Sequence, residues 1–331
     1  MTETFQIVYE TVNRFFEESI SKDILDKAED NLWQGELWSK ISESGYLQAW
    51  DQNDPESNQI TLIIAQLSGW HTLPLPLVET LAARQLAGEY IKNSPSTVFT
   101  IANPLLLENI CLNGNKLSGQ AKKVAFARNA EKVITVIEGR LIIAPSTVSS
   151  QNTNMAGEAR DEILWENEDI LNCKDSCPQQ VINIGAFLRS AQICGGLQHA
   201  LQKTISYATD RHQFGRPIGK FQSIQNYLSK AACLTAMANS ALTKALESPS
   251  MENIAAAKAC ASEAASEVSA LSHRVHGAMG FTHEYYLHYI TRRLLSWREE
   301  FGSETWWHDK LGESVINSGH ENLWNLITND N

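Results

Sequence analysis

The chain has 331 residues, carries 27 Lys and Arg against 38 Asp and Glu for a formal charge of −11, and is 43% hydrophobic. At roughly 100–200 residues per domain this length suggests two or three domains with ample core, and the composition excludes disordered, collagenous and disulfide-stapled chains. The acidic balance, with no clustered Lys and Arg, excludes a nucleic-acid footprint. The six cysteines (Cys111, Cys173, Cys177, Cys194, Cys233 and Cys260) follow no disulfide or zinc spacing and read as reduced thiols; Cys194 and Cys233, among Ala and Leu, read as small buried hydrophobes. The N-terminus is acidic where a signal peptide would be basic, and no apolar run approaches the ~20 residues of a membrane span, so a cytoplasmic protein is expected.

In chain order, Ile7, Val12, Phe15 and Phe16 recur at helical spacing, a second amphipathic stretch runs through Leu37, Ile41 and Leu47, and Gly45 and DQNDP punctuate. Pro74 and Pro76 divide TLIIAQLSGW from LVETLAARQLAGEY, two further helices. From Ser96 the runs TVFTIA, AKKVAFA, KVITVIEG and RLIIAPST read as short strands, and the polar segment from Ser149 to Gln180 holds one more candidate at Glu162–Trp165. From Val181 the chain is Ala- and Leu-rich, with breaks at Gly215–Pro217, Ser248–Pro249 and Gly277–Gly280, and Ala264, Val268, Leu271 and Val275 share one helix face. The expected fold is mainly α: a helical domain over 1–95, a small β domain over 96–180 and a four-helix bundle over 181–331. The order excludes a Rossmann unit, and no GxGxxG follows a strand.

Two stretches carry candidate chemistry. In YATDRHQFGRPIGKFQ, a basic Gly/Pro turn from Arg211 to Gly219 joins one helix to the next, with Gln222 in the first turn of the second. An Arg beside a tight glycine turn and the free amides of a helix N-terminus suit a phosphate, and Phe214 could offer a ring face to a purine; an ordinary elbow between helices is the alternative. In HRVHGAMGFTHEYYLHYITRR, Gly277 and Gly280 permit close backbone approach to a ligand. HRVH is not a zinc HExxH and no acid or Cys completes a ligand set around His273, His276, His283 and His288, so no metal is expected. Glu284 with Arg292 and Arg293 reads as a structural ion pair.

Together these stretches resemble the acyl-CoA dehydrogenase family, with its YAxxRxQFGxPIxxFQ and HGxxGFTxE signatures; the likeness covers about Ile184 to Gly312 and, more weakly, LWSKISESGYL and PLPLVETL. The resemblance implies an FAD enzyme in which a Glu removes the α-proton of an acyl-CoA while a β-hydride passes to the flavin, giving a trans-2-enoyl-CoA. It implies that Arg211, Gln213 and Phe214 reach the pyrophosphate and adenosine of FAD across a subunit interface, that Gln222, Gly277 and Gly280 lie in the other FAD segments, and that the protein is an oligomer. An acceptor such as electron-transfer flavoprotein would take the electrons, or oxygen would, were the chain an oxidase.

The sequence departs from that family where the base belongs. The family places its Glu on the helix before the QFG segment or directly before a Gly after the GF segment; here no Asp or Glu lies between Asp175 and Asp210, and Phe301 precedes Gly302. Glu300, one position away beside Glu299, is the candidate base, with two solvated carboxylates at a helix end as the alternative. Arg274 replaces a Gln that the family usually has, and could hold phosphate or pair with an acid on its helix. QAWDQNDPESNQ replaces a Pro-Glu-Gly-Gly loop. These departures suggest a short subunit of a heteromeric enzyme that keeps the Arg211 half of an FAD site and takes its base from a partner; the rival from another class is a catalytically silent scaffold. Trp306 and Trp307 read as acyl-pocket lining or as core.

Overall fold

A computed structural model describes residues 3–49, 55–319 and Trp324. Residues 50–54 of the QAWDQNDPESNQ segment lie outside the described residues. Five helices open the chain: α1 Glu3–Ser19, α2 Lys22–Glu29, α3 Gly35–Glu43, α4 Pro55–Trp70 and α5 Leu77–Ile91. Ser21 caps α2 by accepting from the Ile24 amide, and Val12 and Phe16 of α1 are buried while Ile7 stays exposed.

The β region holds β1 Phe99–Ile101, β2 Leu107–Asn113, β3 Lys116–Ala125, β4 Lys132–Ile137, β5 Arg140–Pro145, β6 Val148–Ser150, β7 Arg160–Asp169 and β8 Leu171–Asp175. They form two four-stranded sheets, ordered β1-β4-β5-β8 and β2-β3-β7-β6. Glu138 and Gly139, both at positive φ (48° and 78°), turn β4 into β5. The polar segment after Ser149 is richer in strand than its composition suggests: β7 runs well past Glu162–Trp165, and β8 follows, because Ile163 and Trp165 are buried between the sheets and the polar residues from Glu166 onward pair with β3 at the exposed end of the ladder.

The bundle begins with α6 Pro178–Asp210, a 33-residue helix. A two-residue hairpin, β9 His212–Gln213 with β10 Arg216–Pro217, leads into α7 Gln222–Glu247, then α8 Met251–His276, α9 Leu287–Trp297 and α10 Glu304–Ser318. Five bundle helices, not four, thus lie between Pro178 and Ser318, because the chain also breaks at 298–303, where Gly302 takes φ +99° and Ser303 caps α10.

The opening helices, the bundle and one face of the first sheet (Phe99, Ile101, Ile134, Val136, Leu141 and Ile143) share one hydrophobic core, whereas a second core around Leu117, Val133, Ile142, Ile163 and Trp165 lies between the sheets. The first and third parts of the chain are therefore one packed body. Glycines let α4 and α6 meet backbone to backbone: a Cβ at Gly69 would overlap the Gln192 carbonyl, and one at Gly195 would overlap that of Gln66. No helix among the described residues is long and apolar enough to cross a membrane.

Candidate functional site

Two separate regions carry the candidate residues, one at each end of α6. At its C-terminal end the β9–β10 hairpin folds back so that the Ile218 amide donates to the Arg211 carbonyl (2.8 Å). Arg211, Gln213, Gln222 and Arg274 are exposed, and Arg211 has no ion-pair partner among the described residues. Phe214 is 92% exposed at φ +52°, followed by Gly215 at +79°, while Arg216 lies over the Phe221 ring at 4.3 Å. The residue before α7, Phe221, supplies no side-chain cap; the Ile224 amide donates to the Phe221 carbonyl (3.0 Å), and those of Gln222 and Ser223 are left without a partner among the described residues. Unpaired donors, an uncapped helix start and a bare ring together suit a phosphate-bearing aromatic ligand.

Gly277 and Gly280 divide in role. Gly277, at φ +58° with open space where a Cβ would be, leaves its backbone approachable. Gly280 is buried, and a Cβ there would crowd His273 and His276, so it serves packing. His276 stacks on Tyr207, faces the Tyr285 hydroxyl at 3.1 Å and is driven below its ordinary pKa by burial; His273 stacks on Phe281 and bonds to Thr291. Arg274 shares α8 with Glu267, whose carboxyl is lowered chiefly by Lys230 and also feels Arg274.

Near the N-terminal end of α6 lies a cavity of about 680 Å³ between the β region and the 298–303 turn, lined among others by Lys123, Arg160, Glu299, Glu300, Phe301 and Trp306. Phe301, at φ +55°, lies against Gly185 of α6, where any Cβ would collide with its ring. Both places at which the resemblance puts a base, this helix and the residue before Gly302, meet in an apolar contact.

Glu300 lines the cavity but is not a solvated carboxylate. Its side chain is 18% exposed; Oε1 accepts from Arg160 (2.6 and 2.8 Å) and Oε2 pairs with Arg189 (2.7 Å), so neither oxygen is free to approach a substrate proton. Glu299 is exposed and pairs with Arg298. The two guanidiniums belong to a buried lattice of alternating charge: Arg189 also binds Glu79 of α5, Arg160 binds Glu158, and Glu158 pairs with Arg293, which reaches Glu29 of α2 together with Arg292. Burial alone would raise the Glu158 carboxyl, but Arg160 and Arg293 hold it below the usual range. Burial likewise opposes the charge on Arg189, and Glu300 and Glu79 outweigh it, holding the guanidinium above its ordinary value. The partners of Arg292 and Arg293 are thus Glu29 and Glu158, not Glu284.

Of the tryptophans, Trp307 is fully buried and donates to the Phe301 carbonyl (3.0 Å), while Trp306 lines the cavity. Cys194 is buried as expected; Cys233 is exposed, because it falls on the outward face of α7. Arg189, Arg160 and Lys258 were not singled out by residue pattern, although a lone Arg in INIGAFLRSAQIC and a lone Lys in AAAKACA, charges in apolar helix, were the available signal.

Residues 177–314 match the acyl-CoA dehydrogenase C-terminal domain. Acyl-CoA dehydrogenase IpdE2 of Mycobacterium tuberculosis is 34% identical over 118 residues, 35% of this chain and 37% of that one, so the match spans little more than a third of either. The ChsE4-ChsE5 complex from Mycobacterium tuberculosis superposes with a TM-score of 0.81 at 18% identity over 96% of this chain and 98% of that chain. Butyryl-CoA dehydrogenase from Megasphaera elsdenii does so with 0.81 at 16% over 96% and 99%. At those identities the superpositions establish the fold. Residues 177–314 therefore carry the acyl-CoA dehydrogenase C-terminal domain, and the described chain as a whole shares the fold of butyryl-CoA dehydrogenase.

Proposed function

We propose that this chain is one subunit of an FAD-dependent acyl-CoA dehydrogenase that converts an acyl-CoA thioester to the trans-2-enoyl-CoA, with the base supplied by a second, unlike chain. The observation that carries this reading is the separation of its two half-sites. Gly185 meets Phe301 at the cavity, while Gly219 of the Arg211 turn packs on Ala208. At about 1.5 Å per residue these points on α6 are on the order of 35 Å apart, farther than one dinucleotide reaches. The Arg211 half-site therefore suits a cofactor whose ring system sits in another chain's cavity, which makes an oligomer part of the site.

The residues fit FAD. Arg211 and the free amides at the start of α7 would hold the pyrophosphate, Gln213 and Gln222 would add hydrogen bonds, and the bare Phe214 ring would cover the adenosine. FAD, when bound, supplies the acceptor for the substrate's β-hydride. In the cavity of this chain Phe301 excludes water and offers no base, and Glu300 stays committed to Arg160 and Arg189. The α-proton thus needs a carboxylate from elsewhere, and electron-transfer flavoprotein is a suitable class of acceptor.

Absorbance between about 300 and 550 nm, with released flavin counted per chain, tests this. The chain alone should turn over no acyl-CoA, and co-purification with an unlike acyl-CoA dehydrogenase chain encoded beside it should give about one flavin per pair of chains and bleaching on acyl-CoA. Full turnover by the lone chain would overturn the need for a partner. A complex that retains all its flavin when Arg211 is replaced would favour a flavin-silent scaffold.

A further inference from the structure

Lys258 has no part in the site described above, yet it sits directly beneath the cavity wall. It is completely buried in the middle of α8 and forms no ion pair among the described residues. Its ammonium instead donates all three protons to neutral oxygens: Ser262 Oγ at 2.9 Å, the Arg298 carbonyl at 2.7 Å and the Gly302 carbonyl at 2.8 Å. The last two bracket the turn that carries Glu299, Glu300 and Phe301. Ser262 also donates to the Arg298 carbonyl (3.1 Å), and Trp307 donates to Phe301, whereas Gly302 has Lys258 as its side-chain donor.

We propose that Lys258 is the positioning residue of the cavity wall: it draws the carbonyls of Arg298 and Gly302 onto one ammonium, and so holds Phe301 on Gly185 and Glu300 between Arg160 and Arg189. A buried charge without a carboxylate partner is costly to keep, and a fold that needed only filling at this place would be served by a Met. What a Met cannot do is bring two carbonyls four residues apart to a common point. That convergence sustains the left-handed pair Phe301 (φ +55°) and Gly302 (φ +99°), an arrangement that a bulky residue at the first position resists. The inference concerns the wall itself and stands whether or not a flavin occupies the cavity.

The same geometry makes the wall sensitive to pH. A neutral amine has two N–H donors for three acceptors, so losing the proton removes one bond from the set formed by Ser262 and the two turn carbonyls and weakens their convergence. Burial lowers the Lys258 ammonium to about 7; the groups facing it are Glu300 and Glu299 of the turn and Glu304 of α10, which favour the charge, and Arg189 of α6, which opposes it.

Hydrogen–deuterium exchange on the full chain tests the proposal. In Lys258→Met, amides 299–303 should exchange at least tenfold faster while those of α4 and β3 stay unchanged, and Lys258→Gln, which keeps an N–H₂ donor, should recover part of the protection. In the wild type, protection of the turn, corrected for intrinsic exchange, should fall between pH 6 and 8, and in Lys258→Met it should be flat. Unchanged protection of the turn in Lys258→Met, or an equal loss across the whole chain, would overturn the proposal. Should Lys258→Met fail to fold, the wild-type series decides alone: a turn whose protection does not change from pH 6 to 8 overturns it. Flavin content enters none of these readouts, so they can fail or succeed independently of the proposed function.

Discussion

The two ends of α6 use the same residue types in opposite ways. At the C-terminal end Arg211 and the uncapped start of α7 face solvent with donors unmet, and Phe214 exposes an aromatic ring. At the N-terminal end Arg160 and Arg189 are buried, and carboxylates from the turn, the β region and the opening helices answer them. Exposed unpaired donors add little to stability and remain available to a ligand, whereas buried paired ones cannot be withdrawn without leaving a stranded charge. One end of the helix is open to a binding partner; the other is committed to holding three parts of the chain together around a cavity.

The contrast can be broken most forcefully at the buried end. Arg189→Ala strands Glu79 and leaves Glu300 with Arg160 alone, and should cost about 3–5 kcal/mol in urea unfolding. A loss below about 1 kcal/mol would show that the lattice is not the frame of the cavity. Gly195→Ala tests the rod that joins the two ends: it forces α4 off α6 and should cost about 1–3 kcal/mol or more, read as a drop in Tm.

Acid should expose the same asymmetry. The Glu158 carboxyl sits below its ordinary value of 4.5 in the fold, so its stabilisation is complete above that pH and disappears as pH falls through the folded value. Unfolding midpoints measured from pH 7 down to 3 should fall more steeply in the wild type than in Glu158→Gln. Lys258 has the same sign in a higher window: the unfolded chain holds a proton that the fold has released between about 7 and its ordinary 10.5, so its contribution to stability rises with pH there.

The open end should barely register in such measurements. Arg211→Ala should change stability by no more than about 0.5 kcal/mol. It should weaken flavin retention by roughly 10-fold or more, the loss expected for a charge-assisted contact to phosphate. A large stability loss with no change in flavin content would make the hairpin an ordinary structural elbow. Phe214→Ser should be the mildest change, with unaltered Tm and a reduced share of oligomer in sedimentation.

Much of this was legible because it is local. Helical periodicity, the short Val- and Ile-rich runs after Ser96 and the QFG and HGAMGF stretches depend on neighbours in sequence, and these signals marked the α, β, α order and the turn that presents Arg211. The resemblance in those stretches also anticipated the C-terminal domain match over 177–314. What escaped was non-local. Glu300 read as the candidate base, or else as a solvated carboxylate beside Glu299, and only the packing of β7 and α6 around it brings Arg160 and Arg189 to its two oxygens. The break at 298–303 had no Pro to announce it, and its single Gly302 became a turn through Lys258, forty residues away. Sequence alone determined the order of helical and strand-bearing regions and which turn gathers basic residues, since backbone preference and side-chain chemistry act over a few residues. The tertiary structure decided which charges are spent on one another and which remain free, because desolvation and pairing are set by neighbours that only folding brings within a few ångströms.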